Sequence, residues 1–295
     1  MYEDILLPTD GSESVQPAVE LGLEIARGFE ATVHVLHVVD SSPMERKLAL
    51  TAVPNIGETL PESWYDSGDS ITDRIADRAT EWDLDTVTEV RRGVAAQEIG
   101  SYIVDEGIDL VCMGTRGHTG LDRFFLGSVT RRTVRSVDVP VISINPGAAE
   151  RDVSFDRILV PTDGSKPAEE AVNHAMEFAR RYKAILHALY VVDRGAYASR
   201  PGFTWDELRD ALEAGGRTVL EDVESRASES GVAAVTELRR GAPHRSIAEY
   251  ADEHDVDLIA MGTHGRTGIA GRIIGSVTER VLQAAPAPVL TLRSG

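Results

Sequence analysis

Short apolar runs alternate with longer amphipathic segments along the 295-residue chain. The run "EDILLPTD" at residues 3–10 is apolar and ends in turn residues, which is typical of a buried parallel strand. The segment "SVQPAVELGLEIARGF" at residues 14–29 has apolar residues at helical spacing. Ser14 is the expected N-cap of this helix and Gly28 its expected end. The pattern predicts a strand followed by a helix.

The same alternation continues to about residue 144. Further strands are predicted at "TVHVLHVV", "TVTEVR", "DLVCMG" and "VPVISIN", and further helices over about 58–82, in "QEIGSYIVDEG" and near 125–137. Parallel strands need crossover connections, which helices supply. Five short strands alternating with helices therefore predict a doubly wound, Rossmann-like α/β fold with helices on both faces of a parallel sheet.

The second part of the chain repeats the first. "DILLPTDGS" at residues 4–12 returns as "RILVPTDGS" at residues 157–165, and "DLVCMGTRG" returns as "DLIAMGTHG". A period near 150 residues is too long for a solenoid and indicates a duplicated domain. We expect two tandem five-stranded domains, at residues 1–148 and 153–295.

The chain is strongly acidic, with a net charge of −18. Residues 1–150 hold 12 basic and 26 acidic residues, a net −14, and the remainder holds 18 and 22, a net −4. Such a field repels nucleic acid and anionic lipid, so neither is an expected partner. The lysine-poor, acidic composition resembles that of proteins from salt-accumulating archaea, where about 1 M salt shrinks the screening length to about 3 Å. An ordinary acidic surface is the alternative to this halophilic interpretation.

Several features bear on the compartment. No run of about 18 apolar residues is present, and the start has no basic region followed by an apolar stretch. We therefore expect a cytoplasmic protein with no membrane span and no secretory signal. The single cysteine, Cys112, excludes an internal disulfide and is expected to be an inert core thiol, because it lies in the middle of a predicted strand.

Two glycine-rich segments carry the candidate chemistry: "GTRGHTGLDRFFLGS" at residues 114–128 and "GTHGRTGIAGRIIGS" at residues 262–276. Each follows a fourth strand, and ligands of doubly wound sheets bind beyond the carboxyl ends of the strands. Gly114 and Gly117 are expected to take positive φ and to let a ligand approach the backbone. Free amides at the start of the next helix, near Gly127 and Ser128, suit a phosphate. The sequence predicts a phosphate site in each half.

Other phosphate motifs do not fit. No Gly-Lys pair occurs, so there is no P-loop lysine. The glycine spacing is GxxGxxG after the fourth strand rather than GxGxxG after the first, which argues against a dinucleotide fingerprint.

These segments, together with the Pro-Thr-Asp ends of both first strands, resemble the universal stress protein family over nearly all of both halves. The family's ATP-binding pattern, Gly-x2-Gly-x9-Gly-Ser/Thr, is met twice. The resemblance implies one ATP per half, strand order 3-2-1-4-5, and pairing of the halves through their last strands, "VPVISI" and "APVLTL". The nucleotide contacts that it implies are Pro8, Thr9, Asp10, Val38, Met113, Gly114, Gly117, Gly127, Ser128 and Val129, and Pro161, Thr162, Asp163, Val191, Met261, Gly262, Gly265, Gly275, Ser276 and Val277.

Arginines inside the loops are further candidates. Arg116 and Arg266 are placed among the binding residues because a guanidinium pairs with phosphate bidentately. A solvated loop residue is the alternative for each.

Some polar residues have a structural alternative. Asp10 and Asp163 are interpreted as polar contacts to base or sugar rather than general bases, because no Lys, His or second carboxylate accompanies them in the repeated motif. His34, His37 and His187 lie on the second strands, where alternate spacing is compatible with a metal. No cysteine or carboxylate converges with them by sequence, so structural histidines are favoured and no metal site is predicted.

Three classes of function stay open. The first is a binding module in which ATP occupancy changes shape or assembly to signal stress. The second is a slow ATPase or an autophosphorylating enzyme, against which stands the lack of an evident base or metal-binding carboxylate pair; Mg²⁺ would arrive with ATP, held mainly by the phosphates. The third is a structural or chaperone-like partner protein. A homodimer is left open, and the charge of the first half predicts that its site binds nucleotide more weakly.

Overall fold

A computed structural model of the chain describes residues 2–40, 63–115, 126–145, 148, 153–193, 205–265 and 274–293. The strands within these ranges are β1 (Asp4–Thr9), β2 (Thr32–Asp40), β3 (Thr86–Gly93), β4 (Leu110–Gly114), β5 (Val141–Ile144), β6 (Arg157–Pro161), β7 (Ile185–Val192), β8 (Ala234–Arg240), β9 (Leu258–Gly262) and β10 (Val289–Leu292). The helices are α1 (Gln16–Phe29), α2 (Ser63–Thr80), α3 (Ala95–Glu106), α4 (Ser128–Ser136), α5 (Lys166–Tyr182), α6 (Trp205–Glu229), α7 (Pro243–Glu253) and α8 (Ser276–Ala284). The predicted alternation of strands and helices is confirmed.

The described residues form two compact units. The first lies within residues 1–122 and 127–139, and its parallel strands follow the order β3-β2-β1-β4. Its central strands are buried because they are covered on both faces: Ile5, Leu6 and Leu7 have no exposed surface. This arrangement sets the carboxyl ends of β1, β2 and β4 along one edge of the sheet.

The second unit lies within residues 123–126 and 140–295. Its parallel strands follow the order β8-β7-β6-β9-β10, which is the predicted order 3-2-1-4-5. β5 belongs to this unit and pairs antiparallel with β10, with Ile142 opposite Leu290. These are the two last strands whose pairing the family resemblance implies. None of the helices described is both long and apolar enough to cross a bilayer.

The ends of α1 differ from the prediction. A single 3-10 turn at residues 13–15 precedes the helix, so Ser14 is not its N-cap, and Pro17 lies at the second helical position, where proline costs no hydrogen bond. Gly28 is helical, and the chain reverses at Glu30, whose φ is 58°. Lys183 ends α5 in the same left-handed conformation, with φ of 57°. Both helices therefore end in a left-handed residue at the same position of the repeat, and neither residue is a glycine.

The histidines of the second strands are structural, as predicted. His34 Nδ1 lies 2.9 Å from Tyr102 Oη and His187 Nδ1 lies 2.8 Å from Tyr250 Oη, while His37 Nδ1 donates to the Thr9 carbonyl at 2.9 Å. Cys112 is also a core residue, and burial raises the pKa of its thiol. The three imidazoles thus make hydrogen bonds within the fold, and the thiol is buried in the core.

The repeated segments "TEVRRG" and "TELRRG" have a packing role. The Arg91 guanidinium lies over the Tyr102 ring, 4.8 Å from its centroid, and bonds to Glu89 and Asp105. In the second half, Arg239 lies 4.6 Å from the centroid of the Tyr250 ring and bonds to two carboxylates, Glu237 and Glu253. Each arginine thus covers a buried tyrosine.

Two adjacent glycines of α6 give a matched test of how this helix packs. A methyl group on Gly215 meets no atom within 4 Å, whereas one on Gly216 lies 2.6 Å from Tyr190 Cδ1 and 3.0 Å from Leu238 Cδ1. We expect Gly215→Ala to raise the free energy of unfolding by about 0.5–1 kcal/mol, because alanine is the better helix former. Gly216→Ala is expected to lower it by about 1–3 kcal/mol through overpacking. Urea denaturation of both variants checks this, and equal shifts would contradict it.

Candidate functional site

A cavity of about 280 Å³ lies at the carboxyl ends of β6, β7 and β9 and the start of α8. It is lined by every second-half candidate that the structure describes: Pro161, Thr162, Asp163, Val191, Met261, Gly262, Gly265, Gly275, Ser276 and Val277. Arg266, predicted as a phosphate contact, lies outside the described residues. The structure therefore brings together residues that are more than a hundred positions apart in sequence.

The Pro-Thr-Asp-Gly-Ser segment builds a tight turn at one wall of the cavity. The Gly164 N–H donates to Thr162 Oγ1 at 3.2 Å, and the Ser165 N–H donates to Asp163 Oδ1 at 3.0 Å. Gly164 has φ of 72°, a conformation that favours glycine. The other carboxylate oxygen, Asp163 Oδ2, lies 2.8 Å from where a Cβ on Gly265 would stand. The turn thus fixes Asp163 against the glycine loop.

The glycines of the loop are needed for close packing. A Cβ on Gly262 would lie 2.7 Å from Pro167 Cβ and 2.9 Å from its carbonyl carbon, so the start of α5 packs directly on the end of β9. A Cβ on Gly275 would lie 3.1 Å from the Thr263 carbonyl oxygen. Side chains at these positions would meet atoms of the protein itself.

The expectation of a positive φ is wrong for Gly114. Gly114 is the last residue of β4 and has a strand conformation. In the Pro-Thr-Asp-Gly-Ser segments of the two halves, by contrast, Gly11 and Gly164 have positive φ values of 76° and 72°. The left-handed turn is therefore in the Pro-Thr-Asp-Gly-Ser segment, where the chain reverses after the first strand. Gly117 lies outside the described residues.

Two hydrogen bonds anchor the start of α8 to the end of β9. The Gly275 N–H donates to the Thr263 carbonyl at 2.8 Å, and Thr278 Oγ1 donates to the Gly262 carbonyl at 2.9 Å. The helix begins at Ser276, as the sequence predicted. The first amides of a helix have no partner within it and carry a partial positive charge. Because Ser276 and Val277 line the cavity, these amides are placed where an anion would bind.

The histidine in the loop contributes little positive charge. His264 lines the cavity, and its Nδ1 lies 3.0 Å from Thr263 Oγ1. Burial, and then the nearby Arg293, lower the pKa of its imidazole, so it is neutral at pH 7. Two carboxylates, Asp163 and Asp193, also line the cavity. Among the described residues that line the cavity, attraction for an anion therefore comes mainly from backbone amides.

The first half has the same framework. Its candidates lie at the ends of β1 and β4, within β2 and at the start of α4: Pro8, Thr9, Asp10, Val38, Met113, Gly114, Gly127, Ser128 and Val129. The Gly127 N–H donates to the Thr115 carbonyl at 2.8 Å and Thr130 Oγ1 donates to the Gly114 carbonyl at 2.8 Å, as in the second half. Arg116 lies outside the described residues. The anchoring of the helix start is thus duplicated.

Ten cavity residues were not among the sequence candidates. Some of them could have been found from the sequence, because Ile247 recurs as Ile99 in the repeat and His264 lies inside the glycine-rich segment. Leu212 could not, because it lies on α6, where the two halves diverge. The full set is Ala168, Leu189, Tyr190, Val192, Asp193, Leu212, Pro243, Ile247, His264 and Thr278.

No group of three or more histidine, cysteine or carboxylate side chains is placed to hold a metal within the part of the chain that the structure describes.

Comparison with known proteins shows one family. The model of the universal stress protein family matches residues 1–145 and 154–293. Universal stress protein MJ0531 of Methanocaldococcus jannaschii is 38% identical over 140 residues, which are 47% of this chain and 82% of that protein. Universal stress protein YxiE of Bacillus subtilis is 32% identical over 148 residues, 47% of this chain and 99% of that protein. The crystal structure of a universal stress protein from Archaeoglobus fulgidus covers 99% of this chain and 98% of its own, with a TM-score of 0.74 and 23% identity, and supports the fold.

Proposed function

The chain belongs to the universal stress protein family, and we propose that it is a nucleotide-binding module of the stress response that holds one ATP in each half. The observation that carries the proposal is the cavity of the second half, which is lined both by the start of an anchored helix and by apolar side chains. Its volume is near the lower end of the range for small-molecule sites. The family resemblance supports ATP as the ligand.

The residues present fit the parts of a nucleotide. The amides of Ser276 and Val277 would bind the phosphate chain, because they lie at a helix start and Gly275 leaves the space beside them open. The apolar wall, which includes Val191 and Met261, would hold the base. Asp163 would accept a hydrogen bond from a base or ribose donor. If Mg²⁺ accompanies the nucleotide, the phosphates would supply most of its ligands.

The test starts from protein purified in high salt without added nucleotide. We expect denaturation to release close to two adenine nucleotides per chain, one for each half, and added ATP to raise the melting temperature. Ligand at a hundred times its Kd stabilises the native state by about 2.7 kcal/mol. Accumulation of ADP with turnover would indicate an enzyme. No bound nucleotide and no thermal shift would contradict the proposal and favour a structural or chaperone-like role.

The two sites are expected to differ in affinity. The first half carries a net −14 and the second −4, and a more negative background opposes a polyanion. At the start of α7 the second half has His244 and Arg245 where the first half has Ala96 and Gln97. We expect the second site to bind ATP several-fold more tightly at low ionic strength, with the difference shrinking in salt. Titration calorimetry on Gly127→Glu and Gly275→Glu, which leave one site each, checks this; tighter binding in the first half would contradict it.

A further inference from the structure

His187 is buried with half of its hydrogen-bonding capacity unused. The residue is 6% exposed, and its Nδ1 is bonded to Tyr250 Oη. Its Nε2 is buried and has no hydrogen-bond partner among the described residues. The equivalent nitrogen of the first half, His34 Nε2, lies 3.0 Å from Asp4 Oδ1. The two halves therefore differ in the partner of this nitrogen: a carboxylate in the first half and none among the described residues in the second.

The difference comes from one position of the repeat. Asp4 is the first residue of β1, and Arg157 is the first residue of β6. A carboxylate beside the histidine in one half is thus replaced by a cation near it in the other.

The charges around His187 oppose its protonation. Arg157 faces it from β6 and His254 from the C-terminal end of α7, with the two imidazole centroids 5.7 Å apart. Tyr250, on α7, stacks on the His254 ring at 4.0 Å. A carboxylate, Glu237 of β8, also faces His187 and is bonded to Arg239. Burial, and then His254 and Arg157, lower the pKa of His187, while Glu237 acts in the opposite direction.

The elements that hold the two histidines also form the nucleotide cavity. α7 carries Tyr250 in its second half and the cavity residues Pro243 and Ile247 in its first, and His254 is the residue that caps its C-terminal end. β7 carries His187 in its middle and further cavity residues toward its end. A change in packing at His187 therefore acts on two walls of the cavity.

We propose that His187 is a proton-sensitive group that regulates the nucleotide site of the second half, so that mild acid weakens binding there while the first half is spared. The proposal rests on the proposed nucleotide binding. An unfolded imidazole titrates near pH 6.5, so the stability that neutral His187 contributes is full above that pH and is lost as the pH falls through it. Because linkage is reciprocal, bound nucleotide would in turn oppose protonation of His187.

The experiment uses the full chain carrying Gly127→Glu, so that only the second site binds. We expect the Kd for ATP, measured by titration calorimetry, to rise about tenfold more between pH 8 and pH 5.5 than it does after Arg157→Asp, a size within the range of known allosteric couplings. Arg157→Asp gives His187 the carboxylate that His34 has. Protonation of ATP itself, and of His244 and His264, is common to both proteins and cancels in the comparison. The same rise in both would overturn the proposal.

The converse variant and a nucleotide-free measurement keep the test decisive. Asp4→Arg, in a chain carrying Gly275→Glu, is expected to make the first site acid-sensitive; an unchanged pH dependence would count against the proposal. Without nucleotide, the melting temperature at pH 5.5 relative to pH 8 is expected to fall more in the unmodified chain than in Arg157→Asp. If ATP binds neither site at pH 8, the proposed function fails and the regulation with it, whereas this melting difference would still reveal that His187 is proton-sensitive. Equal melting shifts, with ATP bound at pH 8, would overturn the role of His187 alone.

Discussion

Gly275→Glu is expected to abolish ATP binding in the second half, with a loss of at least about a hundredfold. A Cβ at this position lies 3.1 Å from the Thr263 carbonyl oxygen and 3.7 Å from His264 Cα, so the longer side chain is forced toward the start of α8. Its carboxylate would then accept hydrogen bonds from the amides that we assign to the phosphates, and its negative charge would repel the phosphates. Gly275 has φ of −60°, which any residue adopts, so the backbone itself is not strained. Titration calorimetry on the full chain measures the effect.

A matched control separates the site from the added charge. Gly215→Glu places the same side chain in the same half, on an exposed part of α6 where nothing lies within 4 Å, and is expected to leave the Kd for ATP unchanged. Gly127→Glu should remove binding in the first half and spare the second. If Gly275→Glu still bound two ATP per chain, the phosphates would have to lie elsewhere.

Tyr250→Ala is expected to lower the free energy of unfolding of the second unit by about 3–5 kcal/mol, the usual cost of removing a buried aromatic ring. Tyr250 has no exposed surface. Its ring lies between the Arg239 guanidinium and the His254 ring, and its hydroxyl bonds to His187. The variant therefore removes three contacts at once: the one with Arg239, the stacking on His254 and the hydrogen bond to His187. Urea denaturation followed by circular dichroism measures the loss.

Two companion variants test the cause. Tyr250→Phe keeps the ring and removes the hydroxyl, so we expect a smaller loss of about 1–3 kcal/mol, because His187 is then left with no hydrogen bond to this helix. Tyr102→Ala should cost the first unit about as much as Tyr250→Ala costs the second, since its ring is equally buried and lies under Arg91. If Tyr250→Ala and Tyr250→Phe lowered the free energy of unfolding equally, burial of the ring would not be its main contribution to stability.

Local sequence signals predicted the framework of the site well. The apolar runs gave the strands, and the start of α4 and α8 at Ser128 and Ser276 followed from the glycine that precedes each. These features depend on a few neighbouring residues, so a single sequence contains them. The repeat strengthened them, because the same pattern occurs twice.

Features that depend on distant contacts were not predictable. Leu212 reaches the cavity because α6 packs on β7 and β8, and no local pattern encodes that approach. The role of Gly262 was also hidden, because Pro167, whose backbone it contacts, is about a hundred residues away in sequence. The predictions of Ser14 as the N-cap and Gly28 as the end of α1 were wrong for a similar reason. The 3-10 turn before the helix and the left-handed residue Glu30 after it belong to the path of the chain between β1 and β2.

The central claim is that backbone amides at the start of a helix, kept accessible by glycines, bind the phosphates of ATP. A crystal structure of the full chain grown with excess ATP tests this most directly. We predict the phosphate chain within hydrogen-bond distance of the Ser276 and Val277 amides, with the base against Met261 and Val191. A cavity without nucleotide in such crystals, or phosphates bound away from the start of α8, would contradict the account.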